Sequence, residues 1–333
     1  MNTPYNLEID RLIDEITRRR SRRVLIQVPD GIKPQAASLL ETIETRTSAE
    51  AFLSASACHG ACDIDFEEAT QLHADLIIHC GHTEFIHTDK IPVIFLEARS
   101  KQDLTGLLSR VEVEASHWRR LGLAATLQHL DILKTLKEAL LTQGVQAVIA
   151  PKGGRNMYDG QIIGCDYTPL KNIAGGVDAF LVIGSRFHGL GASLAVEKPV
   201  LLADPYSGLV TDMTKERERI ILRRYAMIEL AKKAKSFGII LGMKPGQHDP
   251  DAAAEIKRQI SCRGRFACMI IADEVTPELL LDFEEVQAFV NTACPRLSLD
   301  DAEIFIKPIL SPKEALVAVG GMDWEDMLEQ GFL

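Results

Sequence analysis

The chain has 333 residues, enough for two or three domains and a well-buried core. A hydrophobic fraction of 46% with 25% charged residues belongs to an ordinary globular protein. A net charge of −10 argues against sequence-independent nucleic-acid binding, which needs a basic field, but is compatible with a protein partner carrying a local basic patch.

Short runs rich in Val, Ile and Leu alternate with amphipathic helical segments, the pattern of βαβ units and a mostly parallel sheet. A basic run over 18–23 falls at the C-terminal end of the first helix, where cations suit the helix dipole. The first round then opens with a strand over 23–28, a Pro29-Asp30-Gly31 turn and a helix through Leu39 and Leu40. A strand over 51–55, a helix over 66–72 and strands over 74–79 and 92–97 follow. The second round has strands over 121–127, 145–150, 177–184 and 199–204, with a helix over 130–141. A long charged helix over 214–235 connects to the third round, and its Glu-Arg alternation over 215–224 reads as a solvated face with i,i+4 pairs. Strands over 237–242, 267–273, 286–292 and 302–308 and helices over 252–260 and 277–283 complete the third round.

Three rounds of comparable length predict a triplicated α/β unit, divided as 1–105, 106–210 and 211–333. Residues 1–11 hold no apolar leader core, and the longest apolar runs, such as 179–183 and 268–272, are only strand-length. Neither a secretory signal nor a membrane span is expected, and the expected compartment is the cytoplasm. Seven cysteines there do not read as a disulfide framework, and the odd number weakens that reading further.

Each round carries one cysteine in a turn-like setting at a strand end: Cys62, Cys165 and Cys294. Ligands of open α/β sheets gather at the carboxyl ends of strands, so three such ends facing one another would unite three thiolates. Three thiolates suit a 4Fe–4S cluster with one iron left open for substrate. Spacing alone leaves this beside a second reading, three unrelated turn cysteines. Cys58 and Cys62 begin the C-x3-C-x2-C pattern of radical-SAM enzymes, but Asp65 stands at its third position and the pattern fails. Cys58 reads as a small residue in a turn, and Cys80, Cys262 and Cys268 as packing residues.

Two further segments suit an anionic or zwitterionic ligand. In 184–191, Gly184-Ser185-Arg186-Phe187-His188-Gly189-Leu190-Gly191 follows a strand and opens a helix, where backbone amides favour negative charge. It lacks the G-x-G-x-x-G spacing of dinucleotide sites. In 79–84, His79 and His82 are compatible with a metal site or with strand-end hydrogen bonding.

At these residues the sequence resembles the archaeal 2-(3-amino-3-carboxypropyl)histidine synthase family of diphthamide biosynthesis, an unconventional radical-SAM branch. The resemblance spans nearly the whole chain and rests on His59-Gly60-Ala61-Cys62-Asp63, on Gly160-Gln161-Ile162-Ile163-Gly164-Cys165 and on Asn291-Thr292-Ala293-Cys294-Pro295-Arg296. Gln27 to Gly31, His79 to His82 and Phe187 to Gly191 support it. His59 stands where many members have Tyr, and Gly189 where Pro is common; neither is a proposed ligand. The resemblance implies a homodimer whose subunits hold three small Rossmann-like domains around a central cluster. Cys62, Cys165 and Cys294 would bind a 4Fe–4S cluster, with S-adenosylmethionine (SAM) at its open iron. Gly81, His82, Arg186, Phe187, His188 and Gly189 are the expected SAM contacts. The implied reaction transfers the 3-amino-3-carboxypropyl group, as a radical, to the imidazole carbon of a histidine in translation elongation factor 2, releasing methylthioadenosine. An external electron donor is implied. Quinolinate synthase, with three pseudo-repeated domains and one cluster cysteine in each, is the alternative enzyme; an iron–sulfur electron-transfer or sensor protein is the non-catalytic one.

Overall fold

The computed structural model describes residues 4–86, 90–299 and 302–332. Besides a two-stranded antiparallel ribbon, Tyr5–Asn6 with Arg99–Ser100, three mainly parallel sheets form among the described residues, because three sets of apolar runs each find partners within their own third of the chain. In the first, β1 (Arg23–Gln27), β2 (Glu50–Leu53), β3 (Leu76–Cys80) and β4 (Val93–Leu96) pair in parallel in the order β2-β1-β3-β4. In the second, β5 (Arg120–Ala125), β6 (Gln146–Ile149), β7 (Ala179–Ile183) and β8 (Val200–Asp204) repeat that order as β6-β5-β7-β8. An antiparallel edge strand, β9 (Leu209–Asp212), is added beside β8. The third uses β10 (Ser236–Gly242), β11 (Phe266–Ala272), β12 (Ala288–Asn291) and β13 (Ile309–Leu310), again with the first strand inside: β11-β10-β12-β13.

The central strands are covered on both faces, which is why they read as unbroken apolar runs: every residue of β3 and of β7 is buried. Helices close the layers through one apolar stripe each, as Leu133, Leu136 and Leu140 do in the helix Ile132–Thr142. Side-chain caps fix several helix starts: Asp65 accepts from Glu68 N at 2.7 Å and Asp249 from Ala252 N at 2.9 Å. Among the described residues, no helix is long and apolar enough to cross a membrane.

Three expectations need correction. The strand expected over 302–308 is instead a short 3-10 turn, Ala302–Ile304, with pairing starting only at Ile309. Ala302 and Phe305 pack into the third unit's core, while Ile304 and Ile306 are both exposed. The 215–224 stretch lies in the helix Thr214–Ala231, but its ion pairs run to other elements: Glu216 to Arg186, Arg223 to Glu303 and Arg224 to Glu314. Lys215, Glu218 and Arg219 are exposed as expected, but Arg224 is completely buried against the helix Pro312–Ala318. Cys262, expected in packing, caps the helix Pro250–Ser261 and is exposed.

Candidate active site

The cysteine loops sit at the carboxyl ends of their sheets, and each is shaped by one polar side chain. In the first, Asp63 accepts from His59 N at 3.3 Å while its own amide donates to the Gly60 carbonyl at 2.9 Å, folding the chain tightly around Cys62. In the second, Asp166 receives Arg155 N at 2.6 Å and Thr168 N at 2.9 Å, tying the loop before Cys165 to the helix after it. In the third, Asn291 at the end of β12 donates to the Cys294 carbonyl at 2.7 Å and accepts from Ala293 N at 3.0 Å.

All three cysteines line one cavity of about 330 Å³. Burial pushes the Cys165 thiol up to about 12, and the proximity of Cys62 and Cys294 adds to the effect. Cys165 is nonetheless an exposed residue, its surface opening onto the cavity. Burial also raises the Cys62 thiol, opposed by a hydrogen bond from Gln247 Nε2 to Sγ at 3.4 Å. The three sulfurs do not all lie within 4.8 Å of one another, as ligands of a single ion would. A multi-iron cluster spreads its thiolates wider, so a soft, three-thiol donor set around an open cavity fits such a cluster.

Of the six expected cosubstrate contacts, Gly81, His82, Phe187 and His188 line the cavity. Arg186 and Gly189 are not among its lining residues. Arg186 pairs with Glu216 on the neighbouring helix, and Gly189 packs on β8, where a β-carbon would fall 2.9 Å from Leu202 Cβ. Gly81 takes φ +85°, and a β-carbon there would press to 3.0 Å from Pro29 Cγ, so the strand-end turn needs glycine. Pro29 and Gly31, read from sequence only as a turn, also line the cavity. Burial, with the nearby Arg296 and His129, lowers the His188 ring to about 4, and its Nδ1 lies 2.9 Å from Ser185 Oγ.

Sequence reasoning missed the segment after β10, Lys244-Pro245-Gly246-Gln247. Gly246 N donates to the Cys62 carbonyl at 2.9 Å, and a β-carbon at Gly246 would fall 2.6 Å from Cys62 Cα. Lys244 Nζ reaches Asp63 at 2.8 Å and Glu274 at 2.5 Å. Burial opposes its charge, but the two carboxylates outweigh burial and hold its pKa above the ordinary value. The third unit therefore clasps the Cys62 loop of the first. The Pro-Gly pair just past a strand was the available signal. Arg296, read from the sequence only as the end of the Cys294 motif, stacks 4.4 Å above the Phe187 ring and lines the cavity.

The fold and site define an α/β protein in which three repeated units each contribute one cysteine to a shared central cavity. The family model for diphthamide synthesis proteins matches residues 28–329, and the chain belongs to that family. It is 34% identical to the 2-(3-amino-3-carboxypropyl)histidine synthase of Pyrococcus horikoshii, across 93% of this chain and 89% of that protein. It is 30% identical to subunit 1 of the Schizosaccharomyces pombe synthase, covering 98% of this chain and 77% of that one. The crystal structure of Dph2 from Pyrococcus horikoshii with a 4Fe-4S cluster superposes with a TM-score of 0.87 at 32% identity, covering 96% of this chain and 92% of that one.

Proposed function

We propose that this protein is a 2-(3-amino-3-carboxypropyl)histidine synthase. It transfers the 3-amino-3-carboxypropyl group of SAM, as a radical, to the imidazole carbon of a histidine in translation elongation factor 2 and releases methylthioadenosine. Cys62, Cys165 and Cys294 hold its 4Fe–4S cluster. The observation that carries this reading is the meeting of three cysteines from three separate sheets on one cavity wall. The names of the relatives and the cluster in the Pyrococcus horikoshii structure support it.

When bound, the cluster supplies the single electron that opens a carbon–sulfur bond of SAM. The chain's own residues hold and enclose the cosubstrate. Arg296, braced on Phe187, places a cation on the wall that suits the methionine carboxylate. Gly81 presents backbone without a side chain, and His82 and His188 are neutral rings at neutral pH, so neither repels the sulfonium. The reading brings with it a homodimer, an external electron donor and action in the cytoplasm, and the three α/β units are the domains 1–105, 106–210 and 211–333.

Anaerobic protein reduced with dithionite and given SAM is expected to yield methylthioadenosine, and to modify elongation factor 2 of its own lineage. 5′-Deoxyadenosine as the main nucleoside would sink the proposal.

A further inference from the structure

The cavity wall carries a chain of polar side chains whose hydrogens can be placed one by one. Gln27 Nε2 donates to the Asp63 carbonyl at 2.6 Å, which turns Gln27 Oε1 toward His79 Nδ1 at 3.1 Å. An amide oxygen only accepts, so His79 carries its hydrogen on Nδ1 and keeps a lone pair on Nε2. His82 Nδ1 lies 2.9 Å from that lone pair, within donating distance. With its hydrogen on Nδ1, His82 keeps its basic lone pair on Nε2. His79 is fully buried, so the orienting side of the chain is closed to water, while His82 lies on the cavity wall. This is the arrangement of a histidine base held in one tautomer by a partner behind it. Burial keeps both rings neutral at pH 7. It lowers His82 to about 4, against a hydrogen bond to the Cys80 backbone, and His79 well below its ordinary value.

The proposed transfer replaces a hydrogen on the target imidazole carbon. The sulfur–carbon bond of SAM breaks, a carbon–carbon bond forms and the imidazole C–H bond breaks. The products are methylthioadenosine, the substituted histidine and one proton; the exchange is redox-neutral overall. We propose that His82 Nε2 accepts that proton, with His79 and Gln27 as positioning residues. After the radical adds, the ring regains aromaticity by losing that proton to His82 together with one electron, which would return to the cluster that supplied it, so a weakly basic imidazole suffices. The inference rests on the proposed function.

The test compares parent and His82→Asn holoenzyme, reduced anaerobically, with SAM and elongation factor 2, quantifying methylthioadenosine and modified factor in the same reaction. Asparagine keeps a donor where Nδ1 stood and removes the base. Modified factor per methylthioadenosine should fall by about a hundredfold, with partial rescue by added imidazole. His82→Gln should show the same fall, which guards against a folding defect peculiar to one variant. His79→Gln should lower the ratio by a smaller factor, without imidazole rescue. An unchanged ratio overturns the inference. So does a fall of both products in step, which would make His82 a SAM contact, or a stoichiometric metal held by Cys58, His79 and His82. If the parent itself forms no methylthioadenosine, the proposed function fails first, and that result is distinct from all the others.

Discussion

Buried polar contacts in the third unit and at the cavity have opposite meanings. In the third unit, Arg224 meets Glu314 through Nε at 2.7 Å and Nη2 at 2.6 Å, with both side chains wholly buried. Glu314 also accepts from Ser311 N at 2.7 Å in a capping box, and Arg224 donates to the Ile309 carbonyl at 2.7 Å. That network joins the helices Thr214–Ala231 and Pro312–Ala318 beneath the edge strand β13 and leaves only Arg224 Nη1 without a hydrogen-bond partner. The Gln27–His79–His82 chain and the Lys244–Asp63 pair instead lead outward, the first to the cavity and the second to the Cys62 loop. Burial of a polar group does not by itself mark function; what its last member faces does.

The widest separation of the two networks should appear in metal content. Replacing Cys62, Cys165 or Cys294 by Ala should cut iron from about four per chain toward zero after anaerobic reconstitution, while Glu314→Ala should bind iron like the parent. Retained iron in any of the three cysteine variants would show that the cavity cysteines are not the ligands.

Stability should separate them in the reverse sense. Glu314→Ala strands a buried guanidinium and should cost about 3–5 kcal/mol in denaturant unfolding. An Arg224→Met, Glu314→Leu pair should recover most of that loss. If the single change were tolerated within about 0.5 kcal/mol, this network would not be structural.

Acid should act on the cavity histidines. Burial lowers His79, His82 and His188 below the unfolded value near 6.5, so the unfolded chain binds protons that the folded one refuses. Stability should therefore be complete above that value and fall as pH drops from 6.5 toward 4, by up to about 1.4 kcal/mol per unit for each ring. His82→Asn should flatten the slope measured by urea midpoints at about pH 7 and about pH 5. An equal slope in the variant would mean that the ring is charged in the folded protein.

Lys244→Ala should cost about 1.5–3 kcal/mol, because Asp63 is left half-clasped beside Cys62, and should speed cluster loss in air. Since its pKa is raised, the parent keeps this contribution across neutral pH and loses it only in alkali above 10.5. The smallest effect belongs to exposed Cys262: Cys262→Ser should change stability by less than about 0.5 kcal/mol and leave iron intact.

The sequence by itself determined the elements and the repeat. Parallel strands buried on both faces must be apolar runs, so β3, β7 and β10 announced themselves, and so did the turn-bound cysteines at the ends of other strands. Local patterns failed where the partner is distant. Ile304 and Ile306 alternate like a strand yet find no sheet, and the charges around Arg224 look solvated although Glu314, ninety positions on, buries one of them. The same limit applied at the site. No spacing rule joins Lys244 and Gly246 to Cys62, or Arg296 to Phe187, because those contacts cross between units. Periodicity reports which face of an element is buried; only the packing of three units decides which strand ends share a cavity and which polar groups there are left facing it.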